Sequence, residues 1–242
     1  MLPRKVQYNH LYLIIICVIF AGMTDAAFSS GNGHYMRHIG DGVQNSFEQP
    51  ALLAWTCGGI AGVSLLDGQI QHRFTGRLLT RHVSFAADWY GKGVDWALGN
   101  SYILGDYLTG GHSKDEMYDR LQVFNEAWTV NLAATYVLKT VVRRERPGKQ
   151  NDFSFPSGHS TGAFCVAAAL QELYGNRAGV PAYTLATLTG IQRIHANKHW
   201  FSDVLTGALL GVCIGHGFAE LVNDEGGKKK TTSFNMSISI SF

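Results

Sequence analysis

From residue 51 onward, long apolar stretches alternate with short groups of turn-forming residues. None of these stretches alternates apolar and polar residues as a half-buried strand does, and each is long enough for several helical turns. The pattern predicts an all-α fold, a helical bundle of about six helices within a single domain at 51–224. The stretches cover 51–66, 83–108, 116–143, 159–174, 180–194 and 200–221.

The N-terminus has the layout of a secretory signal peptide, which we place at 1–26. Arg4 and Lys5 precede an apolar run at 11–23 that is short for a membrane span, and small residues follow it. An uncleaved N-terminal anchor is the alternative. We expect the polar, glycine-rich segment 27–50 to be irregular.

The C-terminal tail, 225–242, shows a different pattern. We expect the lysines at 228–230 to form a solvated hinge, and apolar residues then alternate with polar ones from Phe234 to Phe242. Alternation of this kind is typical of a β-strand. The sequence therefore predicts a short C-terminal strand or, failing a partner, a frayed tail.

Low charge limits the classes of partner. Charged residues make up 16% of the chain, against about 25% in an average globular protein, and the formal net charge is only +2. Nothing in this balance indicates nucleic-acid binding. The 28 glycines, with Gly207, Gly211 and Gly215 at four-residue spacing, indicate closely packed helices or contact with lipid. The two most apolar stretches, 51–66 and 204–215, are short for clean spans, which favours an exported globular bundle over a six-span protein.

The first group of residues with chemical potential is Lys139, Arg146 and Pro147. A helix that continues to Arg146 places both cations on one face, because seven residues complete two turns to within about 20°. Pro147 disfavours helical geometry at the preceding residue, so we expect the helix to stop at Arg146. Two cations at one helix end can hold a dianion, although such an end is often only solvated.

The second group is Pro156-Ser157-Gly158-His159, directly before an apolar stretch. Ser157 is a suitable N-cap for a helix. A helix N-terminus also offers free N–H groups and a positive dipole end to an anion. The four residues alone do not distinguish an ordinary helix start from an anion site.

The third group is Arg193, His199 and Asp203. His199 and Asp203 are four residues apart and can share a helical face, where a carboxylate can fix the imidazole tautomer. Arg193 reaches His199 only if the helix breaks near 196–198. A single His–Asp pair is commonly structural, but three such groups in this order do not arise by chance.

Together the three groups resemble the type 2 phosphatidic acid phosphatase (PAP2) superfamily, whose pattern is K-x6-RP, then PSGH, then SR-x5-H-x3-D. The superfamily includes membrane lipid phosphatases, bacterial class A acid phosphatases and vanadium haloperoxidases. The resemblance runs from Lys139 to Asp203. Gln192 departs from it, because the family usually has Ser before Arg193.

The resemblance implies a role for each matching residue. His199 is the expected nucleophile, which forms a phosphohistidine, and Asp203 orients it. His159 is expected to protonate the leaving group and then activate water. The expected phosphate-binding residues are Lys139, Arg146, Ser157, Gly158 and Arg193.

The expected activity is that of a phosphatase without metal or other cofactor, acting on a phosphomonoester or diphosphate, of a lipid in the preferred interpretation. The cations should depress the pKa values of both histidines in the empty site, and a bell-shaped pH profile should follow. We expect no nucleic-acid partner, peripheral membrane contact, and a location in the periplasm or at a membrane of a Gram-negative-like bacterium.

Three alternatives stay open on the sequence. A soluble broad-specificity periplasmic acid phosphatase would use the same residues, and so would a vanadate-dependent haloperoxidase. A non-catalytic protein that binds anionic lipid would need cations but no nucleophile. Among the neighbouring residues, Arg143, Arg144 and Lys149 are interpreted as solvated charges, and His195 and Lys198 as supporting or surface residues.

Overall fold

The computed structural model describes residues 33–47, 60 and 62–225, and in these residues the chain is all-α, as predicted, with no strand. A π-helical turn lies at Tyr90–Val94. Eight α-helices belong to the described part: α1 Gly33–Ser46, α2 Asp67–Phe74, α3 Arg81–Trp89, α4 Asp95–Leu108, α5 Lys114–Val142, α6 Gly158–Tyr174, α7 Asn176–His195 and α8 Phe201–Glu225.

The expectation of an irregular segment at 27–50 is wrong for α1. Ile39, Val43 and Phe47 follow one another at four-residue spacing, so they share one helical face, and this face packs against α8 in the apolar core. The glycines and polar residues of the segment conceal this short apolar stripe. Tertiary packing, rather than local propensity, stabilises the helix.

The predicted helix at 83–108 is interrupted. Gly93 has φ 99°, a conformation that favours glycine, and the helical path bends there between α3 and α4. The bend turns the segment Asp88–Gly93 towards the start of α6, where Gly91 contacts the His159 side chain. The interruption therefore shapes one wall of the region that carries the sequence motifs.

Helix α6 lies at the centre and packs most extensively against α8 and α7. Its contact with α8 is close enough to require glycine. A Cβ on Gly211 would lie 2.3 Å from the Thr161 carbonyl oxygen, and one on Gly215 would lie 2.2 Å from the Cys165 carbonyl oxygen. The glycines at four-residue spacing therefore form a close-packing face of α8, which holds the N-terminal ends of α6 and α8 together.

Helix α8 is also, from Phe201 to Val222, long and apolar enough to cross a membrane by length and composition, with a mean hydropathy of 1.6. More than half of that window is buried inside the protein. Several sequence predictions lie outside the described residues: the signal peptide at 1–26, most of the apolar stretch 51–66 and the alternating segment from Phe234 to Phe242.

Candidate active site

Lys139, in the last turn of α5, and Arg146, in the loop beyond it, converge on one carbonyl group. The Lys139 ammonium donates to the Phe153 carbonyl oxygen at 3.0 Å and to that of Pro156, and Arg146 Nη2 reaches Phe153 at 3.4 Å. Burial, together with the nearby Arg146 charge, lowers the pKa of Lys139 to about 8. A bound anion would favour the charged form of this lysine.

The helix that carries Lys139 ends at Val142, four residues earlier than predicted. Arg143 adopts the left-handed conformation, φ 46° and ψ 49°, and terminates α5. Pro147 restricts only the residue before it, so it does not determine where the helix ends. Lys139 and Arg146 thus do not share a helical face. The loop brings them together instead, and Arg146 Nε is held by Asn151 at 2.8 Å.

Ser157 is the N-cap of α6, as the sequence suggested. Its hydroxyl oxygen accepts from the Ser160 amide at 3.4 Å. The Gly158 and His159 amides belong to the first helical turn and so have no acceptor within the helix. A Cβ on Gly158 would lie 3.7 Å from Lys139 Cε, so the lysine side chain lies beside this helix start. The Lys139 side chain and the amides of Gly158 and His159 therefore lie next to each other.

Arg193 lies near the C-terminal end of α7 and is buried, with 5% of its surface exposed. Its Nε donates to Gln192 Oε1 at 2.6 Å, so the residue at the departure from the family pattern holds the arginine. The helix ends at His195 and Asn197 has φ 55°, which is the break that the sequence required to bring Arg193 near His199. The His199 amide accordingly donates to the Arg193 carbonyl oxygen.

His199 precedes α8 and is almost completely buried. Its Nδ1 lies 2.6 Å from the Ser154 carbonyl oxygen, which can only accept a hydrogen bond, so Nδ1 carries the proton. The Nε2 lone pair is then available as a nucleophile. Burial first, and then the charges of Lys139 and Arg146, hold the pKa of His199 well below its usual value. The imidazole is therefore neutral near pH 7.

Asp203 does not orient His199 by the direct contact that the four-residue spacing suggested. Its Oδ2 lies 4.0 Å from His199 Nδ1, and the carboxylate instead accepts from the Ser154 hydroxyl and from the Trp200 amide. Because His199 lies before the first turn of α8, the helical spacing does not apply. Ser154 connects the two residues, through its carbonyl oxygen to His199 and its hydroxyl to Asp203.

Arg144, which the sequence analysis interpreted as a solvated charge, is a partner of Asp203. Its Nη1 donates to Asp203 Oδ1 at 2.6 Å and its Nη2 to Asp67 Oδ2 at 2.7 Å, and it lies over the Trp200 ring. Asp67 also accepts from the Ser202 amide. No sequence signal marks Asp67, which lies far from the motifs along the chain, so only the fold reveals this network.

Asp88 is a further residue that sequence reasoning missed. It pairs with the Arg193 guanidinium and with Lys92, and its Oδ1 lies 3.9 Å from His159 Nε2. Burial first, and then the Arg193 charge, lower the pKa of His159 to about 4. The direction agrees with the sequence expectation, but burial contributes more than the cations.

His159 and His199 are both influenced by the same two guanidinium groups. The charges of Arg146 and Arg193 act on His159 and on His199 alike. Neutral imidazoles next to several cations and helix N-terminal amides form an arrangement that can hold an anion. Within the described residues, no group of three or more His, Cys, Asp or Glu side chains could hold a metal ion.

The part of the chain that contains the three motifs is similar to known phosphatases. Residues 124–226 match the model of the PAP2 superfamily. The lipid A 1-phosphatase of Porphyromonas gingivalis is 45% identical over 75 residues, 30% of this chain and 17% of that protein. Phosphatidylglycerophosphatase B of Bacillus subtilis is 32% identical over 93 residues, 32% of this chain and 46% of that protein. The chain thus spans less than half the length of either relative.

The fold has a counterpart of known structure. The crystal structure of a transmembrane PAP2-type phosphatidylglycerolphosphate phosphatase from Bacillus subtilis superimposes with a TM-score of 0.53 at 20% identity. The superposition covers 93% of this chain and 100% of that one. Residues 124–226, which contain the three motifs, thus match the PAP2 superfamily, and the chain shares its fold with a PAP2-type phosphatase.

Proposed function

We propose that the chain is a metal-independent phosphatase that hydrolyses a phosphomonoester or diphosphate, of a lipid, through a phosphohistidine at His199. The observation that carries the proposal is the state of His199. Its Nδ1–H is held by the Ser154 carbonyl group, which leaves Nε2 unprotonated, and it is neutral beside Lys139 and Arg146. Anion binding alone needs the cations but not this nucleophile.

In the first step, the Nε2 lone pair of His199 attacks phosphorus and the bond from phosphorus to the leaving oxygen breaks. The negative charge of the bound substrate offsets the nearby cations and favours the protonated form of His159. His159 then transfers its proton to that oxygen, so the leaving group departs as an alcohol or, from a diphosphate, as a protonated phosphate. In the second step, neutral His159 takes a proton from water as the water oxygen attacks phosphorus. The phosphorus–nitrogen bond then breaks, phosphate is released and His159 is again protonated.

The cations supply the rate enhancement in this mechanism. Lys139, Arg146 and Arg193 surround the anion, and the amides at the start of α6 add further donors. A five-coordinate phosphorus carries more negative charge on its equatorial oxygens than the ester does. Fixed positive groups therefore stabilise the transition state more than the ground state.

A lipid substrate at a membrane is supported by two observations. Large apolar side chains are exposed on α3, α4, α5 and α7, and exposed apolar patches mark sites of membrane or protein contact. The relatives are named as phosphatases of lipid A, phosphatidylglycerophosphate and undecaprenyl diphosphate. We include export or membrane association in the proposal. The exposed side chains include Phe85, Trp89, Leu98, Tyr102, Leu108, Leu132, Tyr136 and Val180.

The direct test compares a lipid phosphate with a soluble one in the presence of a chelator. The purified protein is incubated with phosphatidic acid in detergent micelles or with p-nitrophenyl phosphate, both with excess EDTA. We expect EDTA to leave the rate unchanged, phosphatidic acid to be preferred, and His199→Ala to abolish turnover. His72→Ala, at an exposed residue of α2, is the matched control. Undiminished turnover by His199→Ala contradicts the mechanism, and preference for the aryl ester contradicts the lipid assignment.

A further inference from the structure

Asp88 lies at the end of α3, outside the three motifs and outside the residues that match the family model. Its carboxylate faces three basic groups at once. Oδ1 pairs with Arg193 Nη2 and lies 3.9 Å from His159 Nε2, while Oδ2 lies 2.5 Å from the Lys92 ammonium. Asp88 thus contacts one of the anion-holding cations and lies next to the proposed leaving-group acid.

The contact with Asp88 fixes the orientation of Arg193. Gln192 holds Nε of the guanidinium group and Asp88 holds Nη2, so the planar group is held at two of its three nitrogens. Within the described residues, Nη1 has no protein acceptor, so its two N–H groups are available to a substrate oxygen. Because a guanidinium group donates in its own plane, fixing that plane determines where the oxygen must lie.

The contact with His159 is electrostatic. Four charged groups act on this imidazole: Arg193 of α7, Asp88 of α3, Lys92 of the π-helical turn and Arg146 of the loop after α5. Of these only Asp88 is acidic, and it therefore favours the protonated form. His159 Nε2 is buried and has no hydrogen-bond partner within the described residues, so no hydrogen bond to that atom supplies this support.

Gly91 helps to fix the position of the His159 ring relative to the Asp88 carboxylate. A Cβ on Gly91 would lie 2.8 Å from His159 Cδ2 and 2.8 Å from Thr189 Cγ2. The backbone of the π-helical turn is therefore in contact with the imidazole. Because the turn begins directly after α3, the contact also limits the distance between Asp88 and His159.

We propose that Asp88 is a positioning residue of the phosphoryl-transfer site, which orients Arg193 and stabilises the protonated form of His159. This inference rests on the proposed function, in which protonated His159 is the leaving-group acid. A purely structural ion pair between Asp88 and Arg193 would stabilise the fold but would leave the titration of His159 unchanged. The two roles therefore differ in a measurable property.

The experiment follows the His159 imidazole by NMR in protein labelled with 13C-histidine, from pH 3 to 8, without substrate; His159→Gln identifies the resonance. Asp88→Asn removes the carboxylate charge, and Lys92→Gln removes a cation that competes for it. We expect the pKa of His159 to fall in Asp88→Asn and to rise in Lys92→Gln. A change of about one unit alters the ratio of protonated to neutral imidazole tenfold.

The matched control is Asp119→Asn, which removes the same charge from an exposed residue of α5 about 30 Å along the helix from Lys139. It should leave the titration unchanged. An unchanged His159 pKa in both Asp88→Asn and Lys92→Gln overturns the proposal. If Asp88→Asn does not fold, the exposed Lys92→Gln decides alone, and a pKa that falls or stays constant in this variant overturns the proposal.

Kinetics supply a second readout that separates this inference from the proposed function. The alkaline limb of the kcat/KM profile, which reports loss of the His159 proton, should move to lower pH in Asp88→Asn and return in Asp88→Glu. Failure of the proposed function would appear instead as turnover by His199→Ala. The NMR titration is made on the resting protein, so its result stands independently of that outcome.

Discussion

Ser154 and His199 are joined by a buried hydrogen bond of 2.6 Å, in which His199 Nδ1–H donates to the Ser154 carbonyl oxygen. The Ser154 hydroxyl donates to Asp203 at the same time. The backbone of a loop residue, rather than the carboxylate four residues further along, therefore selects the histidine tautomer. Asp203 acts on the loop through Ser154.

Ser154→Ala removes the hydroxyl group but keeps the carbonyl oxygen. We expect the free energy of unfolding to fall by about 1–3 kcal/mol, because a fully buried carboxylate loses a hydrogen-bond donor. The activity should stay within about tenfold of wild type, since the His199 tautomer is unaffected. Urea denaturation and kcat are measured together, with Ser101→Ala, at an exposed site of α4, as the control. A loss of activity without a loss of stability would contradict this division of roles.

Arg144→Gln should destabilise the protein by about 3 kcal/mol, because it leaves Asp67 and Asp203 buried without their shared cation. Thermal and urea unfolding report the change. The neighbouring Arg143 offers a matched variant of opposite sign. It holds φ 46° at the end of α5, which glycine adopts without strain, so Arg143→Gly should stabilise the fold by about 1 kcal/mol. Equal changes in the free energy of unfolding for the two substitutions would contradict the assignment of Arg144 to a buried ion-pair network and of Arg143 to the helix end.

Gly158→Ala tests whether the space beside this residue is needed for substrate binding rather than for folding. A Cβ there would meet only Lys139 Cε and Thr135 Cγ2, both at 3.7 Å, so the folded protein accommodates it. The new methyl group lies where an anion would approach the α6 amides, and we expect kcat/KM to fall about 100-fold while stability is unchanged or slightly raised. Gly105→Ala, with nothing within 4 Å, is the control. Normal activity in Gly158→Ala would argue against an anion at this helix start.

Stability should decrease as the pH falls through the range set by His159. Its pKa is about 4 in the folded protein against a usual 6.5, so between these values the unfolded chain binds a proton that the folded chain does not. The free energy of unfolding should therefore fall with decreasing pH, by up to about 3 kcal/mol from this residue. Comparison with His159→Gln isolates the contribution. An equal slope in that variant would show that the histidine is not buried in its neutral form.

The sequence predicted the helical class and identified eight candidate site residues through three spaced motifs. It did not predict how they meet. Lys139 and Arg146 were assigned to one helical face, but Arg143 ends the helix and the loop carries Arg146 back. Ser154, Asp67 and Asp88 were missed, since a carbonyl group, or a carboxylate that reaches the site only through tertiary packing, leaves no local pattern.

The composition of a segment likewise does not predict its secondary structure where tertiary packing stabilises a helix. The glycine-rich segment before residue 50 contains α1, because three apolar residues on one face meet α8. Conversely, the glycines of α8 were a correct signal, since close approach of α6 physically excludes a side chain at Gly211. Residue patterns that reflect steric exclusion are therefore more informative here than patterns that reflect average propensity.

The central claim is the phosphohistidine, and one measurement tests it most directly. His159→Asn is mixed with 32P-labelled p-nitrophenyl phosphate and quenched in alkali within milliseconds. Because p-nitrophenolate leaves without an acid, the first step should proceed while the second lacks its base. We predict a burst of about one p-nitrophenolate per site, with the label on His199 by mass spectrometry. Steady release of p-nitrophenolate without a burst, with all the label in free phosphate, would contradict the account.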